Sequence, residues 1–459
     1  VKSITIIGAG LVGSLVAVYL AKRGYQVTVF ERRPDMRTQR ISAGRSINLA
    51  LSDRGWKGIE GAGIKEDIAR VAIPMKGRIM HSIDGKQTFQ QYGTDKQAIY
   101  SVSRGGINMA LMDCAERYEN IKFKFNQRCI DMNIETATAI FQDNETGEQS
   151  TVHSDCIIGA DGAYSVVRGV LQMTDRFNYS QNYIEHGYKE LTIPPINGGD
   201  FAMEKKALHI WPRSSYMLIA LPNMDGSFTC TLFFPFEGNP SFASLQTDED
   251  ILHFFKEHFP DAMEMMPTLL QDYKNNPTSS LITVRCFPWS YKDKVLLIGD
   301  AAHGIVPFFG QGMNCGFEDC SVLDELLNKY EDNDWERMFK EFETLRKPNS
   351  DAIAQLALEN FVEMRDKVAD KEFLLRKKIE AIAQDVQPKR FRSRYSMVSF
   401  SHIPYSESMK IAEEQDKYID TFIQMPNIND AIGTEELRRQ IAEALANLPE
   451  RFGDYSSPV

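Results

Sequence analysis

Three short apolar runs, each ending in glycine-bearing turns and followed by apolar positions at helical spacing, organise the chain. The first covers residues 3–7 and leads into Gly8-Ala9-Gly10-Leu11-Val12-Gly13 and a helical pattern over 15–22. Gly24 closes that helix, 26–30 reads as a second strand, and Glu31 follows it. The second run lies in DCIIGADGAYSVVR (155–168), where a buried strand ends in Gly159-Ala160-Asp161-Gly162 and Arg168 falls within about two helical turns. The third, VLLIGDAAHGIVPFFGQGMNCG (295–316), passes from an apolar strand over 295–298 to Gly299-Asp300. A Pro-bearing loop then reaches Gly310-Gln311-Gly312 and another helical pattern.

Between these runs the period changes. Ile107, Ala110, Leu111, Cys114, Ala115 and Tyr118 predict a helix over 106–118. Residues 207–236 read as antiparallel strands with a hairpin turn at 223–226. From about Met313 helical patterns dominate, and Ile353, Leu356, Ala357, Met364 and Val368 form one apolar stripe that also contains Asn360. An amide on a core face costs stability unless its hydrogen bonds are made. A core asparagine bonded to backbone and a ligand-facing one are equally open on pattern alone.

The amino-terminal run is a βαβ dinucleotide fingerprint with its context intact. Its glycines permit a tight turn and close approach of a pyrophosphate, and Glu31 is placed for a ribose hydroxyl. Arg32 and Arg33 fit a 2′-phosphate contact, but the favoured reading is basic residues flanking an adenine pocket or facing solvent. Gly299-Asp300 can aim a carboxylate at a sugar hydroxyl. The glycines at 310 and 312 let backbone N–H groups approach a flat polar ring, and the helix start adds a positive dipole end.

Composition narrows the class. The 459 residues suggest about three domain-sized units. Hydrophobic content of 43% and charged content of 25% predict a soluble globular protein. A net charge of −11 argues against general nucleic-acid binding. The seven cysteines form no CxxC, which predicts buried free thiols and a cytoplasmic location. The eight histidines show no HExxH spacing, so no metal is expected. Neither a signal peptide nor an apolar run long enough to cross a bilayer is visible. The basic residues Arg376, Lys377, Lys378, Lys389, Arg390, Arg392 and Arg394 read as a solvated helix face.

The fingerprint, the central Asp161-Gly162 and the late Gly299-Asp300 together resemble class A flavoprotein monooxygenases, FAD-dependent aromatic hydroxylases. GRSINLALSDRG (44–55), MKGRIMH (75–81), HGYKEL (186–191), ALHIWPR (207–213), PFFGQGMNCGFED (307–319), LENFVEM (358–364) and RYSMVSF (394–400) narrow the resemblance to the kynurenine 3-monooxygenase branch. It runs from about Ser3 to about Pro404. The resemblance implies an α/β fold with a Rossmann-like FAD-binding domain of the glutathione-reductase/hydroxybenzoate-hydroxylase type. An inserted antiparallel-sheet substrate domain and a C-terminal helical region complete it. FAD-binding parts at 1–75, 96–180 and 281–330 would enclose substrate-domain parts at 76–95 and 181–280, with a helical cap over 331–459.

By resemblance, FAD is held by Gly8, Gly10, Leu11, Val12, Gly13, Glu31, Arg32, Arg33, Arg45, Arg104, Asp161, Gly299, Asp300, Gly310 and Gln311, with Gly312, Met313 and Asn314 at the flavin's pyrimidine edge. Arg78, Tyr92, Asn360 and Tyr395 would grip the amino-acid carboxylate of L-kynurenine, and Phe233, Phe308 and Phe309 would wall an apolar pocket. Some bacterial relatives have histidine where this chain has Phe309, so no proton-transfer role is assigned there, and no residue is named as acid or base. The implied chemistry uses NADPH as a transient co-substrate and O₂, through a flavin C4a-hydroperoxide, to give 3-hydroxy-L-kynurenine. The cofactor carries the hard chemistry while the protein positions the ring and excludes water. The alternatives are a hydroxylase of another aromatic acid, a flavin oxidoreductase that transfers no oxygen, and a non-catalytic binding protein on the same fold. Oligomeric state is open, with a homodimer as one candidate.

Overall fold

The computed structural model describes residues 2–38, 48–92, 97–330, 334–363 and 371–453. Arg45, Met364 and Val368 lie outside these described residues. The three apolar runs become neighbouring strands of one six-stranded sheet. Its order is Ser290–Tyr291, Val295–Leu297, Cys156–Gly159, Ser3–Ile7, Gln26–Phe30, Ile121–Lys124. All pairs are parallel except the first, and Ile7 is level with Gly159, which is level with Leu297. All three glycine turns therefore leave the sheet at one carboxyl edge, where open α/β sheets bind ligands.

Helix Leu11–Lys22 follows the first strand, four residues earlier than the apolar pattern predicts. Gly10 is its extended N-cap, so Leu11, Val12 and Gly13 form the first turn. The predicted helix over 106–118 runs from Arg104 to Glu116, because Ser103 caps it by accepting the N–H of Gly106 at 3.4 Å. One large core, including Ile6, Val18, Val29, Ile107, Phe141, Leu296 and Phe317, joins this sheet to its helices.

A second, seven-stranded sheet has the order Ser279–Phe287, Asn178–Ile193, Phe228–Pro235, Tyr216–Pro222, Ala207–Arg213, Gly77–His81, Gln87–Gln91. The 207–236 segment supplies three antiparallel strands, and the turn at 223–226 closes with Gly226 N–H donating to Asn223 at 3.1 Å. The sheet is not wholly antiparallel. Gly77–His81 pairs parallel with Ala207–Arg213 and antiparallel with its hairpin mate Gln87–Gln91. One face packs on helix Asp248–His258 and its neighbours. Met217 and Phe233 belong to a different core, shared with Phe308, Phe309, Ile353, Phe361 and Tyr405.

Helix Trp335–Val362 runs through Pro348, and beyond it Lys371–Val386, Tyr405–Ile423 and Glu435–Leu445 gather around Ile379, Ile419, Phe422 and Ile441. The basic run is only in part a solvated face: Lys378 and Lys389 are exposed, but the arginines are paired. Arg376 pairs with Asp416 and Asp420, Arg394 with Glu359 and Asp416, and Arg390 with Glu450. Arg392 is buried against Phe452 and donates to the Gly453 carbonyl at 2.8 Å. Sequence spacing shows only like charges in a row, whereas folding brings carboxylates and carbonyls from distant helices. Among the described residues, no helix is long and apolar enough to cross a membrane.

Phe30 and Phe141 stack at 3.8 Å between ring centroids, with Phe141 fully buried, tying the small 127–153 sheet to the main one. Phe141→Ala is expected to destabilise the protein by about 3–5 kcal/mol, read as a lower urea midpoint with the m-value retained.

Candidate active site and cofactor cradle

The cradle begins with glycines whose reasons differ. Gly8 has φ of +105°, and a Cβ there would lie 2.5 Å from the Ala160 carbonyl oxygen. At Gly13 a Cβ would lie 1.9 Å from the Gly8 oxygen. These two are fixed by the protein's own packing. Gly10 is different, since a Cβ would meet no protein atom within 4 Å. Gly162, with φ of +82°, is equally open. Space kept clear at the end of the first and central strands suits a ligand rather than a side chain.

Glu31, at the end of the second strand, accepts the Ala9 N–H at 3.0 Å and Arg33 Nε at 2.8 Å. Burial pushes its pKa up, but Arg33 and the backbone donors outweigh this and hold it below the ordinary value. Arg33 is thus the partner of Glu31, and its side chain, like that of Arg32, is exposed. Asp161 accepts Val166 N–H at 2.7 Å and Val167 N–H at 3.3 Å through Oδ2, while its Oδ1 is buried without a partner among the described residues. Burial raises its pKa. Arg168 holds the same turn by donating to the Ala163 carbonyl at 2.5 Å and the Ala301 carbonyl at 2.7 Å. The third turn has Gly299 at φ of +59° and Asp300 exposed at a helix start, while Arg104 is exposed at the start of its own helix.

Helix Gly312–Lys329 has no side-chain N-cap, so the N–H groups of Gly312, Met313 and Asn314 are first-turn donors at a positive dipole end. The Asn314 side chain serves the fold: it donates to Ala50 and Gly310 carbonyls at 2.8 Å and accepts Ser52 N–H at 2.9 Å. Gln311 is likewise buried, accepting Tyr405 Oη–H at 2.9 Å. Only their backbone is left for a ligand. Open glycine cradles, a carboxylate at the second strand and an uncapped helix start match the needs of FAD.

The aromatic residues expected at the substrate come together from four separate segments, and Phe361 joins them from a fifth. Tyr92 stacks on Tyr395 at 5.2 Å, and Tyr395 stacks on Phe309 at 5.7 Å. Phe308 lies 5.0 Å from Phe233 and 4.4 Å from Phe361. Asn360 donates to the Phe308 carbonyl at 2.6 Å and is half-buried beside these rings. Arg78 lies near both tyrosines, and its Nε donates to Gln90 Oε1 at 2.8 Å, a partner the sequence pattern did not single out. Burial raises the pKa of both phenols, so each keeps its O–H as a donor.

Behind the cradle lies a buried charge network that sequence reasoning also missed. Asp319 accepts Gly299 N–H at 2.9 Å, His303 Nε2 at 2.6 Å and Arg346 Nε at 2.7 Å. Arg346 also reaches Glu318 at 2.5 Å, and Glu318 accepts Arg54 Nη1 at 2.8 Å. Arg54 donates to the Val398 and Ile403 carbonyls and lies over the Tyr405 ring. His303, Cys315 and Asp319 place potential ligand atoms within 4.8 Å of one another, but Arg346 takes Asp319 and reaches the Cys315 Sγ at 3.4 Å. A guanidinium here occupies the role a cation would have. The signal in the sequence was the Glu318-Asp319 pair in the first half of helix Gly312–Lys329, among Met313, Cys315, Phe317 and Cys320.

The FAD binding domain family matches residues 2–357. The chain is 47% identical over 442 residues to the kynurenine 3-monooxygenase of Flavobacterium johnsoniae, covering 96% of this chain and 98% of the relative. It is 48% identical over 460 residues to that of Dictyostelium discoideum, with 97% of each covered. For the Sus scrofa enzyme the figures are 46% over 421 residues, 91% and 88%. Among solved structures, the tetrameric form of 2-methyl-3-hydroxypyridine-5-carboxylic acid oxygenase aligns with TM-score 0.65 at 20% identity, covering 80% of this chain and 93% of that one. Pseudomonas aeruginosa PqsL aligns with TM-score 0.65 at 16% identity, covering 80% and 97%, and these two likenesses speak to fold alone.

Two outcomes follow from the cradle. Gly10→Ala is expected to leave apoprotein stability within about 1 kcal/mol of the parent while weakening FAD retention, read by thermal unfolding of the apoprotein and by bound flavin absorbance. Asp319→Asn is expected to destabilise by about 3–5 kcal/mol, because Arg346 and His303 lose a buried charge partner. Burial pushes Asp319 up, but His303 and Arg346 hold it at about 2, so its stabilisation is complete above about pH 3.9 and is lost as pH falls toward 2. For His303, burial lowers the pKa but Asp319 and Cys315 outweigh it and the net shift is upward. Its share is therefore complete below about pH 6.5 and is lost as pH rises through the raised folded value. Urea midpoints measured across pH in parent and variant would read both limbs.

Proposed function

The chain belongs to the kynurenine 3-monooxygenase family of FAD-dependent hydroxylases, and from that premise we propose the residues with which it carries out the reaction. It hydroxylates L-kynurenine to 3-hydroxy-L-kynurenine with NADPH and O₂. FAD, when bound, supplies the redox chemistry, taking reducing equivalents from NADPH and activating O₂. The aniline amino group makes the substrate ring electron-rich, so the attacked carbon needs no protein nucleophile.

The observation that carries the residue assignment is the convergence of Arg78, Tyr92 and Tyr395 beside the Phe309 ring. Arg78 pairs with the amino-acid carboxylate through its planar fork, and the two phenols donate to the remaining lone pairs. Phe233, Phe308 and Phe309 form the apolar wall that keeps water from the reacting ring. Asn360 acts by holding the Phe308 carbonyl, and so the loop that carries both phenylalanines. Gly8, Gly10, Gly13, Glu31, Arg104, Asp161 and Asp300 line the cofactor's path along the sheet edge, with Arg45 assigned there by resemblance alone. First-turn N–H groups of Gly312, Met313 and Asn314 favour negative charge on the reduced ring. No side chain is given a proton-transfer role. The seven described thiols are buried and free, which supports a cytoplasmic location, and a homodimer is the oligomer to seek by light scattering.

The test is aerobic NADPH consumption by the flavin-loaded protein with L-kynurenine, with products identified by mass spectrometry. Substrate-stimulated consumption giving the 3-hydroxylated product is expected. Stimulated consumption yielding only hydrogen peroxide would point to a related aromatic ring as the substrate, and no stimulation would remove kynurenine from the site.

A further inference from the structure

The hairpin of Gly77–His81 and Gln87–Gln91 carries two of the residues given to the substrate, and its pleat adds a third on the same face. Arg78 and Gln90 are direct cross-strand partners. Tyr92 lies two residues beyond Gln90, hence on the same face, and its N–H donates to the Lys76 carbonyl at 3.1 Å, so pairing continues to that point. The Lys76 N–H in turn donates to the Lys206 carbonyl at 2.8 Å, anchoring the hairpin to the rest of the sheet.

A guanidinium offers five N–H donors in one rigid plane. Gln90 Oε1 takes the Nε donor of Arg78 at 2.8 Å, and the Nη1 and Nη2 groups have no hydrogen-bond partner among the described residues. Fixing Nε sets the orientation of the plane and leaves the terminal nitrogens for a ligand. Gln90 does this without charge. A carboxylate in its place would pair with Arg78 itself and compete with any incoming acid.

We propose that Gln90 is a positioning residue that orients Arg78 for the substrate carboxylate, and so contributes to selection of a ring bearing an amino-acid side chain. The inference rests on the assignment of that carboxylate to Arg78 above. It makes Gln90 matter only for ligands that carry the carboxylate. Kynuramine, which has the same ring and ketone chain without the carboxylate, is the contrasting probe.

Dissociation constants of L-kynurenine and kynuramine would be measured on the flavin-loaded protein by perturbation of the flavin spectrum. Gln90→Leu is expected to weaken L-kynurenine binding about tenfold, the scale of one charge-assisted hydrogen bond, and to leave kynuramine binding unchanged. In an Arg78→Ala background the same substitution is expected to add nothing. Gln90→Glu keeps the acceptor and the fold of the hairpin. It is expected to weaken L-kynurenine at least as much as Gln90→Leu, again sparing kynuramine. Equal losses for both ligands in the Gln90 variants, or no loss for either, would overturn the positioning role while leaving Arg78 in place. If Arg78→Ala itself fails to distinguish the two ligands, the carboxylate assignment falls and the role of Gln90 falls with it.

Discussion

Asp319, fully buried on helix Gly312–Lys329, joins two other elements: the short helix Asp300–His303, through the N–H of its N-cap Gly299 and the His303 ring, and the next long helix, through the Arg346 guanidinium. Through Glu318 and Arg54 the same chain of charges reaches the carbonyls of Val398 and Ile403, and so the segment that delivers Tyr395. Isolated charges of this kind would be costly to bury. Here each carboxylate is met by a guanidinium or an imidazole, and the residual donors go to backbone carbonyls. The network ties the Gly299 turn and the Gly312–Lys329 helix to the segment that carries Tyr395 and to Tyr405.

That attachment explains how a site can be built from two sheets that share little core. The six-stranded sheet supplies the cradle because its motif strands end in register at one edge. The seven-stranded sheet supplies Arg78, Tyr92 and Phe233 on the other side. The 307–309 turn lies between them, its Phe308 ring against Phe233 and Phe361 and its Phe309 ring against Tyr395. Aromatic packing makes this junction apolar, and the charges lie behind it, where their partners are complete.

Several functional groups act through the fold more than the sequence suggested. Asn314 and Gln311 lie in the loop expected at the flavin, yet their side chains are consumed by Ala50, Ser52, Gly310 and Tyr405. Asn360 holds a backbone carbonyl. The arginines of the basic run, Arg376, Arg392 and Arg394, clasp segments together. In each case a polar side chain has a definite chemical appetite that sequence displays, while the partner that satisfies it comes from elsewhere in the chain.

The sequence by itself determined the cradle and the class of chemistry. Glycine fingerprints are local: the turn needs Gly8 at φ of +105° and Gly13 clear of the Gly8 oxygen, and the strand, helix and acid around them lie within about thirty residues. Aromatic and arginine candidates for the substrate were readable only through likeness to a family, since Arg78 or Tyr395 alone carries no local signal. Tertiary structure alone decided which of these residues meet, which amides face backbone, and that Gln90 stands behind Arg78. It also decided that Asp319, Arg346, Glu318 and Arg54 form one charge network. The physical reason is that hydrogen bonds and ion pairs are satisfied over a few ångströms in space, whereas the partners here are separated by up to hundreds of residues along the chain.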